Sequence, residues 1–107
     1  MANPWAGEVA LVVNGVPMVA KLTLGALAEL EAGLGAGTLV ELVERFESRR
    51  FSTRDVVAVL VAGLCGGGWV GTADDLARAD FGGGPMEAVR VAAELLARAF
   101  AIPESGA

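Results

Sequence analysis

The sequence predicts an α+β fold, an N-terminal β-hairpin packed on a small bundle of four to five helices. Three observations predict it. Asn14-Gly15 sits between two apolar, β-rich arms. Thr38, Ser52 and Thr72 are each followed three residues later by an acid. Glycine triplets at Gly66–Gly68 and Gly82–Gly84 punctuate the apolar runs. The 107 residues are read as one domain, with residues 8–22 forming the hairpin and 23–102 the helical part.

The hairpin comes first. A two-residue type I′ turn needs φ > 0 at both central positions, which Asn-Gly meets at low cost. The turn sets the register: Val13 faces Val16, Leu11 faces Met18, Val9 faces Ala20, and Glu8 faces Lys21 with opposite charge. Val13 and Val16 are then the hydrogen-bonded pair, so Pro17 turns its missing N–H away from its partner. The pair is apolar on both faces: Val9, Leu11, Val13, Val16 and Met18 on one, Ala10, Val12 and Val19 on the other. Two strands alone are marginal. One face is expected on the helices. Either a helix also covers the other, or that face and two open strand edges invite a partner or a second copy.

The helices follow in order. Thr23 is the expected N-cap of the first, with Leu24, Leu27, Leu30 and Leu34 along one stripe and Gly33 or Gly35 at its end. Thr38 and Glu41 form a capping-box pattern for the second, which places Leu39, Leu42, Val43 and Phe46 on one face and pairs Glu41 with Arg45 on the other. Ser52 and Asp55 repeat the pattern for a third helix, about Thr53 to Cys65. Its Val56, Val57, Val59, Leu60, Val61 and Leu64 leave almost no polar face, so it is buried at the centre or covered by a partner. Thr72 and Asp75 cap a short fourth helix. Pro85 opens the last, where Met86, Val89, Ala93, Leu96 and Phe100 recur as a seam supported by Glu87–Arg90 and Glu94–Arg98.

Composition narrows the function. Net charge is −5 and the pI is near 4.6, which disfavours non-specific binding to nucleic acid or an anionic membrane. No apolar stretch reaches the roughly 18 residues of a membrane span, no secretory signal is visible, and one cysteine, Cys65, forms no internal disulfide. A cytoplasmic protein is expected. There is no histidine, no tyrosine and one lysine, so the commonest general base and metal ligand are missing.

The remaining motifs read as structure. Gly33 to Thr38 precedes a helix but lacks the strand before it and the Lys-Ser/Thr pair of a phosphate loop. In the acidic group Asp74, Asp75 and Asp80, a cap and a first-turn charge explain two members. Arg45, Arg49, Arg50 and Arg54 gather at one helix junction and read first as a solvated corner, second as a dock for an acidic partner or a phosphate backbone. Cys65 reads as a small hydrophobe, and Trp5 and Trp69 as plugs at a core edge or interface anchors. No catalytic, cofactor or metal site is expected.

Beyond these patterns the chain resembles a family from gene transfer agents, phage-like particles made by alphaproteobacteria. The resemblance rests on Gly7-Glu8-Val9, Asn14-Gly15, the block Leu24-Gly25-Ala26-Leu27-Ala28-Glu29-Leu30-Glu31, and Gly33-Leu34-Gly35. It continues through Thr38-Leu39-Val40, Phe51-Ser52-Thr53-Arg54-Asp55, Ala62-Gly63-Leu64 before the triple glycine, and the Ala93 to Ala97 run that leads to Phe100. Members are described as tail assembly chaperones or as tail tube proteins. The resemblance implies a non-enzymatic chaperone that binds the tape-measure protein, or other tail proteins, during tail assembly. A structural tail component, tube or terminator subunit, is the alternative, and a nucleic-acid-binding module ranks third. The candidate partner interface is drawn from apolar excess: Val12 and Val19 on the hairpin, Val57 and Val61 on the third helix, Leu96 and Phe100 on the last. A homo-oligomer is possible through the same surfaces, and association with the particle would accompany the tail roles.

Overall fold

Asn14 and Gly15 turn the chain with φ of 52° and 78°, and the arms β1 (Glu8–Val13) and β2 (Val16–Lys21) pair antiparallel in the expected register. The computed structural model describes residues 7–34 and 37–100. Trp5, Gly35 and the tail after Ile102 lie outside the described residues. The helices are α1 (Leu24–Gly33), α2 (Leu39–Glu47), α3 (Thr53–Gly66), α4 (Ala73–Ala77) and α5 (Pro85–Ala99).

Side-chain caps start four of the helices. The hydroxyls of Thr23, Thr38, Ser52 and Thr72 accept from backbone N–H groups three residues on, and the last three form complete capping boxes with Glu41, Asp55 and Asp75. Pro85 begins α5, where an N–H has no helical partner to lose. α3 lies at the centre: Val56, Val59, Leu60, Ala62 and Leu64 are buried, with β2, α1, α4 and α5 packed around it. The inner hairpin face, Val9, Leu11, Val13 and Ala20, joins the same core.

Four expectations need correction. In α1 the buried positions are Ala26 and Leu30, while Leu24 is 85% exposed, because the first helical residue after the Thr23 cap points away from α3. In α5 the buried stripe is Ala88, Val91, Ala92, Leu95 and Leu96. Of the expected seam, Leu96 is buried and Val89 half-buried, while Met86, Ala93 and Phe100 are exposed, so the true stripe is rotated from the expected one. α3 and α5 approach so closely that a side-chain carbon on Gly63 would sit 2.7 Å from Leu95 Cδ1. The missing side chain of Gly63 therefore makes room for Leu95 at this contact. Arg45 does not pair with Glu41 in an outer-face ion pair; it grips Asp55 at the start of α3.

The strand edges are the fourth. Val13 forms an antiparallel bridge with Phe81. There the Asn14 N–H donates to the Asp80 carbonyl at 2.7 Å, and the Gly82 N–H donates to that of Val12 at 3.0 Å. On the other edge Pro17 has no N–H to offer. The end of α3 lies so near that a side-chain carbon on Gly66 or Gly67 would come within 2.0 Å of the Lys21 oxygen or 2.1 Å of the Val19 oxygen. The triple glycine is therefore more than a helix stop: it lets α3 cover β2. The expected pair of open edges is closed at these positions.

Candidate functional site

α3 buries one side and leaves Val57, Ala58 and Val61 half-buried on its flanks, and three grooves run beside them. The first, about 330 Å³, separates α1 from α3 and is floored by small residues: Gly25, Ala26, Ala58, Val61, Ala62 and Cys65. The second, about 870 Å³, opens toward α4 past Val57 and the Arg45–Asp55 pair. These two share Gly33, Ala58 and Ala73, so they form one continuous channel. The third, about 320 Å³, lies between α3, α4 and α5, with Phe51, Val56, Val57, Leu60 and Val89 in its walls. Small side chains in α1 and α3 leave the channel; the one-leucine contact of α4 leaves the third groove.

The structure divides the sequence-predicted interface residues. Val57 lines two of these grooves and Val61 lines one. Val12 and Val19 lie on the outer hairpin face with Ala10 and Pro17, beside Gly82. Phe100 closes α5, donating its N–H to the Leu96 carbonyl, and is 38% exposed. Leu96 is 3% exposed. It belongs to the core, because the α5 stripe centres on Leu95 and Ala92, and it leaves the candidate surface. The hairpin face and the α3 grooves share no lining residue among the described residues; they are two surfaces.

The charged groups near the grooves have structural partners. Burial presses the Asp55 carboxyl upward, but hydrogen bonds from the Arg45 guanidinium and from Ser52 outweigh it and hold the group below the ordinary aspartate range. Asp75 completes a cap, Asp74 pairs with Arg78, and the Asp80 N–H donates to the Asn14 side chain at 2.9 Å. At the start of α2, Thr38 N–H donates to Glu41 and Leu39 N–H to Glu31, so carboxylates already stand where a phosphate would be received. Of the four junction arginines, Arg45 is bound to Asp55, while Arg49, Arg50 and Arg54 face solvent. Among the described residues no three His, Cys, Asp or Glu side chains gather as a metal set, and no helix is long and apolar enough to cross a membrane.

Sequence reasoning missed the groove lining contributed by Phe51, Phe81 and Val89, and the stacking of Phe46 on Phe51 at 4.8 Å. The one local signal was the placement of Phe51 and Phe81 in short connections, where an aromatic needs a surface to lean on. A family model described as "Phage tail tube protein, GTA-gp10" matches residues 6–102. No curated protein and no solved structure matches the chain.

Proposed function

The chain belongs to this gene transfer agent tail family, and on that premise we propose that it is a tail assembly chaperone that holds the tape-measure protein while the tail is built. The observation that carries the reading is the set of grooves along α3, with Val57, Ala58 and Val61 in their walls. They are mainly apolar toward α1 and α5 and edged by Arg45, Arg54, Asp55 and Asp74 toward α4. A helix of 14 residues spans about 21 Å, room for three to four turns of a partner helix. A long helical protein waiting for its tube exposes apolar faces of that kind, and shielding them needs no catalysis. We read the protein as non-enzymatic and as acting in the cytoplasm, where tails are assembled. Other tail proteins remain partners in this reading, and self-association through the outer hairpin face, Val12 and Val19, is an accompanying expectation.

The second reading, a tail tube subunit, is favoured by the matched family description itself. Against it, a tube wall is commonly made by strands joined from subunit to subunit. The one two-stranded sheet among the described residues is bridged by its own chain at Val12–Asn14 on one edge and covered by the end of α3 at Val19 and Lys21 on the other. Co-expression with the tape-measure protein of the same gene cluster separates the two. The chaperone reading expects a soluble complex and little of this protein in finished particles. An insoluble tape measure, with this protein at stoichiometric copy number in mature tails, would overturn it.

A further inference from the structure

α4 is an element that the protein itself seats in an apolar groove. Its five residues are too few to hold a helix unaided, it packs chiefly on α3, and its one buried side chain is Leu76, 1% exposed. Leu76 enters the groove walled by Val56, Val57, Leu60 and Val89, and about 320 Å³ beside it stays unfilled. Glycine triplets lie on both sides, with φ of 104° at Gly68, 90° at Gly83 and 79° at Gly84. The far end is tied to the hairpin tip by three hydrogen bonds: Asn14 N–H to the Asp80 carbonyl, Asp80 N–H to the Asn14 side chain, and Gly82 N–H to the Val12 carbonyl. Its ion pair, Asp74 with Arg78, is internal and ties it to nothing else.

We propose that residues 69–84 form a displaceable strap, and that the groove now filled by Leu76 takes a leucine-bearing apolar helix of a partner in place of α4. The occupant is read from α4 itself. The groove already accepts a short helical segment through one leucine, and a longer helix would bring further apolar side chains to Val57 and Val89 and fill the remaining volume. α4 then acts as an internal stand-in that keeps the groove covered until a stronger helix arrives. That the partner is the tape-measure protein rests on the chaperone reading; the strap does not.

Two experiments test the proposal. Asn14→Gly keeps the turn, since glycine accepts φ > 0, and removes the side-chain tie to Asp80. By amide hydrogen exchange, Leu76, Ala79 and Gly82 are expected to exchange several-fold faster in the variant, with Val59, Leu60 and Leu64 unchanged. Strap and α3 amides rising together, or none rising, would overturn the strap. The second experiment locks it. Val12→Cys with Gly82→Cys, in a Cys65→Ala background, places two thiols one step along the Val13–Phe81 bridge and outside the groove lining. A Cβ on Gly82 would lie 2.9 Å from that of Val12, and a small shift gives disulfide geometry. The oxidised protein should lose co-purification with the tape-measure protein at least tenfold and regain it on reduction. Undiminished binding when oxidised overturns the docking groove. If the unmodified chain fails to bind the tape measure at all, the chaperone reading fails, and hydrogen exchange alone decides the strap.

Discussion

Arg45 and Asp55 meet across the α2–α3 corner at two points, Nε donating to Oδ2 at 3.0 Å and Nη2 to Oδ1 at 3.0 Å. Asp55 is also the third helical residue of α3, accepting the Ser52 N–H at 2.9 Å. One carboxylate thus starts a helix and joins it to its neighbour.

This joint sets an acid limit. The folded Asp55 carboxyl ionises below its ordinary value, so the unfolded chain binds the proton more readily. Its stabilisation is whole above the unfolded pKa, about 3.9, and is lost as pH falls through the lower folded value. Glu94, lowered chiefly by its hydrogen bond from Arg98, acts in the same direction. Thermal melts should give a level Tm from about pH 5 to 7 and a fall below about pH 4. Asp55→Asn should cost about 1 kcal/mol at neutral pH, modest because the Arg45 side chain is 35% exposed, and should flatten the acid limb. A variant as pH-sensitive as the parent would contradict this account.

Glycines that look alike in sequence should behave oppositely. Gly66→Ala drives a carbon against the Lys21 backbone oxygen and should cost about 3 kcal/mol or prevent folding. Gly33→Ala meets nothing within 4 Å at the end of α1 and should gain about 0.5 kcal/mol. Urea denaturation of the two variants checks the sign of each.

The elements were legible where the signal is local. Asn14-Gly15 and the three capping boxes specify their neighbours within three or four residues, and each is formed as read. Contacts between distant segments were not. Nothing near Phe81 announces Val13, and nothing in the triple glycine announces the carbonyls of Lys21 and Val19. The α5 seam was misread for a related reason: its phase was set from Met86, Val89, Ala93, Leu96 and Phe100, whereas the buried stripe runs through Ala88, Val91, Ala92, Leu95 and Leu96, with Leu95 against Gly63. Of the proposed interface, Val57 and Val61 fell on grooves because α3 has more apolar positions than its core side can bury. Leu96 did not, because no single-helix pattern reports which side the neighbour occupies.

The grooves and the hairpin face should separate in function. Val57→Thr replaces a methyl with a hydroxyl at nearly constant volume and should lower recovery of soluble tape-measure protein several-fold. Val12→Thr, on the outer hairpin face, should leave recovery within twofold. Co-expression and quantitative blotting measure both, and the reverse order would move the binding surface to the hairpin.

Along α5, Glu87, Arg90, Glu94 and Arg98 form a ladder of ion pairs. Arg90 is half exposed, so Arg90→Ala should cost under about 1 kcal/mol, and less at high salt. A loss above about 2 kcal/mol that salt does not reduce would show that the ladder supports packing rather than charge.

The bond between Asn14 and Asp80 spans 66 residues of chain, and that separation orders events in time. A hairpin closes within microseconds of its residues being free, whereas a ribosome adding about 5–20 residues per second needs several seconds to reach the segment that seals it. Throughout that interval the nascent protein exposes the edge of its first strand to any other extended chain nearby. The β1 edge is most vulnerable on the ribosome, and slow translation past α3 lengthens the risk.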